Sequence, residues 1–184
     1  WPARHRYRRD LAGFATWLMT IARNVATDHY RRRRDHAPLE ARAAEFRGSG
    51  SIRDRVAALG GAGLLARRDT RSLAVIRRQL AYHDPLDDLA VVIQELGCTP
   101  LERANVLLEV VAEARAGLRV VVFGLTEPNA GSDVRSLETV AVRDGAHYRL
   151  TGTKHFISNA PECDGAVVFA KLDRQVACFY VEAP

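Results

Sequence analysis

Two short stretches hold the residue types with which this chain could do chemistry: GLTEPNAGSD at residues 124–133 and GTKHFISN at residues 152–159. Gly131-Ser132 offers close backbone approach and a hydroxyl, which suits the polar edge of a ligand. Glu127 and Asp133 could exchange protons with a substrate. Carboxylates in a Pro- and Gly-rich turn more often accept backbone amides, and that turn-fixing role is expected of both. Lys154 and His155 read as structural or rim residues, since a single histidine without a partner motif carries little chemical information. Cys98, Cys163 and Cys178 form no CxxC pair and have no histidine pair at ligand spacing, so no metal site is expected. Reduced, buried thiols are the expectation for all three.

These stretches need a scaffold, and the periodicity of the chain supplies one. RVVVF from Arg119 is a β-branched run that places the first stretch at a strand end. VAVRDGAHYRL reads as a hairpin with Asp144-Gly145 at its two-residue turn. TGTKHFISNA, GAVVFAKL and QVACFYVE add further short strands. Upstream, Leu73, Ile76 and Leu80 begin a helical stripe. Asp84-Pro85 marks a capped helix start, Asp87 and Asp88 occupy its first turn, and Gly97 stands as its C-cap. Thr99-Pro100-Leu101-Glu102 opens another helix, running through Leu107, Leu108 and Val111 toward Gly117. The class expected is α+β, with N-terminal helices followed by an antiparallel β domain. Gly48-Ser49-Gly50 suggests a boundary, giving segments 1–47, 48–117 and 118–184.

Composition narrows the setting. At 184 residues with 47% hydrophobic and 27% charged content, the chain has the make-up of a water-soluble globular protein. It contains no apolar run of about 18 residues and no secretory signal pattern, so a cytoplasmic protein without a membrane partner is expected. Nine arginines against three aspartates leave residues 1–36 at +6, so the rest of the chain sums to −1 of the overall +5. Within that basic front Leu11, Phe14, Leu18, Ile21 and Val25 form one helical stripe, which Pro38 is expected to end.

Residues 124–133 contain Thr-Glu-Pro-x-Ala-Gly-Ser-Asp, and residues 152–159 fit G-x-K-x-[WF]-I-[ST]-N. Two motifs in this order, joined by a hairpin, resemble the acyl-CoA dehydrogenase family. VAALGGAGLLA and RSLAVIRRQLAYHDPLDDLAVVIQELG resemble its N-terminal helical domain, so the likeness covers about residues 52–184. The resemblance implies a partial architecture of that kind, FAD as cofactor, an acyl-CoA thioester as substrate and a homo-oligomer. It implies that Phe123, Leu125 and Thr126 line the flavin, with Thr126 near its reactive edge. Phe156 would stack beside the ring, Ser158 would bond to it, and Gly131 and Ser132 would complete the site. Ser132 would also touch the thioester arm. The reaction implied is removal of the α proton by a carboxylate together with hydride transfer from the β carbon to the flavin. In the family that carboxylate comes from a C-terminal helical domain, and the sequence printed above stops inside the β domain. No catalytic base is therefore assigned here, and an inactive piece with weak flavin affinity is expected.

FATWLMTIARNVATDHYRRRRD, residues 14–35, resembles region two of extracytoplasmic-function sigma factors. In that family such a helix meets RNA polymerase and single-stranded promoter DNA. Trp17, Arg23, Asn24, Asp28, Arg31, Arg32, Arg33 and Arg34 would then be the contacting residues. Three readings stay open: a flavoprotein piece behind a sigma-like leader, a DNA- or polymerase-binding module, and a nonfunctional fusion of two genes.

Overall fold

The computed structural model describes residues 33–66 and 69–183. Among the described residues five helices come first: α1 Arg33–Glu45, α2 Ile52–Gly61, α3 Thr70–His83, α4 Pro85–Ala104 and α5 Leu108–Arg115. Five strands follow: β1 Val121–Gly124, β2 Val140–Asp144, β3 His147–Thr151, β4 Gly165–Leu172 and β5 Gln175–Glu182. Short 3₁₀ turns at Val134–Ser136 and Ala160–Glu162 interrupt the two long connections.

Helix starts are set by local chemistry. Ser51 and Asp54 form a capping box on α2, and Asp69 accepts the amides of Arg71 and Ser72 at the start of α3. Asp84 caps α4 with Pro85 in its first turn, as its sequence indicates. Asp84 and buried Asp87 both take the Arg55 guanidinium of α2, at 2.7 and 2.6 Å. Buried Arg55 therefore has its charge compensated, without which it would be costly to desolvate.

The predicted class holds, while the sheet is mixed rather than antiparallel throughout. β4 runs parallel to β1, with Val121 opposite Gly165, and touches β2 in parallel through Val140 and Lys171. Only β2–β3 and β4–β5 are antiparallel. β1 reaches β4 through the long connection over residues 125–164, so no hairpin dictates its direction. β1 is also covered on both faces. Val120 and Val122 enter a core with Val56, Leu59, Ile76 and Leu80, while Val121 points into a second cluster with Cys98, Leu101 and Val111. A continuous valine run serves a doubly buried strand better than an alternating one.

Several local expectations change. Gly97 does not end a helix, and Thr99-Pro100 does not begin one: α4 runs unbroken through both. A Cβ on Gly97 would stand 2.8 Å from the Val121 carbonyl oxygen, so glycine here permits close contact between α4 and β1. The chain reverses only at Asn105, whose φ of 55° places it in the left-handed region suited to a helix end. Pro38 lies inside α1 instead of ending a helix. Tertiary contacts carry α1 through it: Leu39, Ala43 and Phe46 join the first core cluster, and Glu40 bonds Arg78 and Gln79 of α3. The hairpin pairs Asp144 with His147, so its two-residue loop is Gly145-Ala146. Residues 152–159 form an irregular loop where a strand was expected. Cys98 is buried, but Cys163 is only half-buried and Cys178 is exposed. Among the described residues no helix is long and apolar enough to cross a membrane.

Candidate functional site

β1 ends at Gly124, and the chain then enters a turn closed by a reciprocal pair of bonds. The Glu127 amide donates to the Ala130 carbonyl at 2.8 Å, and the Ala130 amide donates back at 3.2 Å. Pro128, next after Glu127, favours such a reversal because its φ is preset.

The Glu127 side chain is buried beneath this turn. Its carboxylate accepts the Thr139 amide at 3.1 Å, the Lys154 ammonium at 2.7 Å, the Glu138 amide and the Thr139 hydroxyl. Burial alone would raise its pKa, but the lysine, the hydroxyl and the two amides outweigh burial and hold it at about 2. A carboxylate so engaged is a poor general base near neutral pH. Asp133 likewise accepts the Arg135 amide and the Ser136 hydroxyl, capping the turn Val134–Ser136. Both carboxylates thus fix turns.

The second stretch is fastened against the first. The His155 amide donates to the Thr126 carbonyl at 2.8 Å, and Lys154 donates to the Leu125 carbonyl at 3.0 Å as well as to Glu127. Lys154, read from sequence as a structural or rim residue, is the half-buried link between the stretches. Beyond it Phe156 adopts φ 55° and is 83% exposed, its ring stacked on His155 at 4.0 Å. A bulky residue in the left-handed region is held there by its surroundings. Asn159 is also left-handed, and Ile157 and Cys163 pack onto the helical core.

Leu125, Thr126 and Ser158 are half-buried, while Gly131 and Ser132 are exposed. Phe123 is half-buried with its ring tilted on Phe169 at 5.1 Å. Among the described residues, no hydrogen bond engages the hydroxyls of Thr126, Ser132 and Ser158 or the amides of Gly131 and Ser132. Apart from Phe123 in β1, the candidates occupy two adjoining loops. Two hollows, of about 470 Å³ beside β2 and about 520 Å³ between β3 and β5, are lined by none of them. Burial pushes the thiol of Cys98 up to about 11, and partial desolvation raises those of Cys163 and Cys178, a direction that disfavours the thiolate a nucleophile needs. No cluster of metal-ligating side chains occurs among the described residues. Trp17, Arg23, Asn24, Asp28, Arg31 and Arg32 lie outside the described residues, and Arg33 and Arg34 open α1.

Sequence reasoning missed the supports of the site. Gln94 is buried in α4, accepts the Val121 amide at 2.9 Å and donates to the carbonyls of Ala114 and Arg119. Thr139 and Glu162 are equally silent in the sequence, because their partners are distant along the chain.

Comparison with known proteins finds partial matches in sequence and in fold. The family model for the acyl-CoA dehydrogenase middle domain matches residues 122–184, and that for sigma-70 region 2 matches residues 1–36. The short-chain specific acyl-CoA dehydrogenase of Clostridium acetobutylicum is 48% identical over 58 residues, 32% of this chain and 15% of that protein. The CarC subunit of the caffeyl-CoA reductase-Etf complex of Acetobacterium woodii is 45% identical over 71 residues, 36% of this chain and 19% of that protein. A glutaryl-CoA dehydrogenase from Mycobacterium smegmatis, solved in complex with FADH2, superposes with a TM-score of 0.72 at 24% identity. That superposition covers 80% of this chain and 45% of the other. The chain therefore spans under a fifth of these curated relatives and under half of the solved structure. In sequence over residues 122–184, and in fold over four fifths of its length, this chain matches the acyl-CoA dehydrogenases, behind a leader that matches sigma-70 region 2.

Proposed function

We propose that residues 118–183 present the flavin-facing wall of an acyl-CoA dehydrogenase-type site, supported by the helices of residues 48–117 and set in the cytoplasm. The observation that carries this reading is the fastening of two loops side by side, which leaves three hydroxyls and two amides without a hydrogen bond among the described residues, beside the exposed Phe156 ring. FAD has an anionic pyrophosphate, a polar pyrimidine edge and an apolar ring face, so this donor set fits it. Thr126 and Ser158 would bond the ring system, Phe156 would stack beside it, and Leu125 and Phe123 would line it. Gly131 and Ser132 would offer amides, with Ser132 also reaching the thioester arm of an acyl-CoA.

When bound, FAD supplies a hydride acceptor for α,β-dehydrogenation of an acyl-CoA to the 2-enoyl thioester. This chain's residues bind and orient. None of the described carboxylates in the two loops is assigned the α proton, because Glu127 and Asp133 are committed to turns. Self-association of the kind the family resemblance implies belongs to the same proposal.

The test is to mix the purified chain with FAD, desalt it and record flavin absorbance and melting. Flavin retained in less than equimolar amount, as weak affinity implies, with a raised melting temperature is expected. Gly131→Leu should weaken retention by at least about tenfold, or about 1.4 kcal/mol, at unchanged melting of the ligand-free chain. Nothing lies within 4 Å of a Cβ built on Gly131, so the new side chain starts into open space. Colourless protein without a thermal shift would sink the reading. For the leader alone, the sigma-70 match over residues 1–36 favours nucleic-acid contact, seen as DNA binding that falls steeply with added salt.

A further inference from the structure

The loop that carries Phe156 and Ser158 is anchored twice. Its start is tied to the end of β1 through Lys154 and His155. Its far end is tied to α2, a helix more than 100 residues earlier in the chain.

The first four amides of a helix have no partner within it. In α2 the capping box serves two of them: the Ser51 amide donates to the Asp54 carboxylate at 3.0 Å, and the Asp54 amide donates to the Ser51 hydroxyl at 3.2 Å. The other two are served from the loop. Glu162 accepts Ile52 N at 3.4 Å and Arg53 N at 3.2 Å, placing a carboxylate at the positive end of the helix. Arg53 answers with its guanidinium, which grips both oxygens of Asp164 at 2.9 Å and the Glu162 carbonyl at 3.0 Å. Asp164 in turn accepts the Val120 amide at 2.8 Å, where the chain enters β1. The cap of α2, the loop and the entry to β1 therefore form one connected set.

We propose that Arg53 and Glu162 are positioning residues: they hold the Phe156–Ser158 loop at its height against the end of β1 and so set flavin affinity at the site above. The flavin part of this inference rests on the proposed function; the clamp itself does not. Arg53 is half exposed and Asp164 about a third exposed, so solvent screens the pair and it adds little to global stability. What it removes is freedom in a loop with two left-handed, non-glycine residues, Phe156 and Asn159.

Amide hydrogen exchange on the ligand-free chain separates positioning from simple destabilisation. The His155, Ala160 and Cys163 amides donate to the Thr126, Ile157 and Ala160 carbonyls within or beside the loop and serve as reporters. In the double variant Arg53→Ala, Glu162→Ala their exchange should quicken at least about tenfold, with Arg53→Lys intermediate. Amides in α4 and in the β2–β3 hairpin should not change. FAD retention should fall in parallel. Unchanged loop exchange, or exchange that rises equally in α4, overturns the clamp. Faster loop exchange with undiminished FAD retention overturns its role in flavin binding. Wild-type chain that retains no FAD defeats the proposed function, while the exchange data still decide the clamp.

Discussion

Glu127 shows how a residue that looks catalytic can be structural. In sequence it sits in a motif turn beside Ser132 and Asp133, where a general base would also be at home. In the structure four donors converge on its carboxylate, and its pKa falls from 4.5 to about 2 despite burial. A group with a depressed folded-state pKa stabilises the fold above its unfolded value, and that contribution is lost as pH falls through the folded value. The window is therefore pH 4.5 to about 2, and the shift corresponds to about 3 kcal/mol. Urea midpoints measured from pH 7 to pH 2 should show Glu127→Gln less stable at neutral pH, with the gap to wild type closing across that window. A gap that persists at pH 2 would contradict this electrostatic account. The motif residues themselves were legible in the sequence, because turn-forming types and hydroxyls cluster there. The four donors were not, because Thr139 and Lys154 reach Glu127 through folding alone.

Among the elements, α4 departs furthest from its local signals. Gly97 and Pro100 both read as helix punctuation, yet the helix continues because Cys98 and Leu101 are buried in the second cluster. Packing outweighs the preference of about 1 kcal/mol that glycine expresses within a helix. The same comparison fixes the sign of a substitution. On an open helix face Gly→Ala gains up to about 1 kcal/mol. At Gly97 the new methyl would meet Val121 at 2.8 Å, and such overpacking costs about 1–3 kcal/mol. Gly97→Ala should therefore lower the urea midpoint, whereas Gly61→Ala, with open space around it, should hold or raise it. If Gly97→Ala stabilises the chain, the close contact between α4 and β1 is wrong. The hairpin was legible to within one residue of its turn, since a Gly beside alternating residues is a short-range signal. The parallel pairing of β1 with β4 was not, since no local signal reports which way a distant strand returns.

For the whole molecule, the helices and the sheet are tied through β1. Val120 and Val122 belong to the helical core, Val121 to the second cluster, and Gln94 joins α4 to the chain entering β1. Residues 39–46 share the helical core too, so packing crosses the glycine-rich stretch at 48–50. Residues 39–183 should accordingly unfold as one unit, with helical circular dichroism and tyrosine fluorescence losing signal at the same urea concentration. Gln94→Ala should shift that common midpoint downward by about 1–3 kcal/mol, because it leaves the buried Val121 amide without its acceptor. Separate transitions for the two signals would show two independent units instead. The sequence by itself determined the α+β order, the β-branched strand, the capped start of α4 and the two chemical stretches. Each depends on neighbours within a few residues, where propensity, capping and turn geometry act. Only the tertiary structure decided the mixed sheet, the unbroken α4, the burial of Glu127 and the meeting of Glu162 with α2. Those depend on contacts between distant residues, whose cost in chain entropy is offset only when the whole core closes.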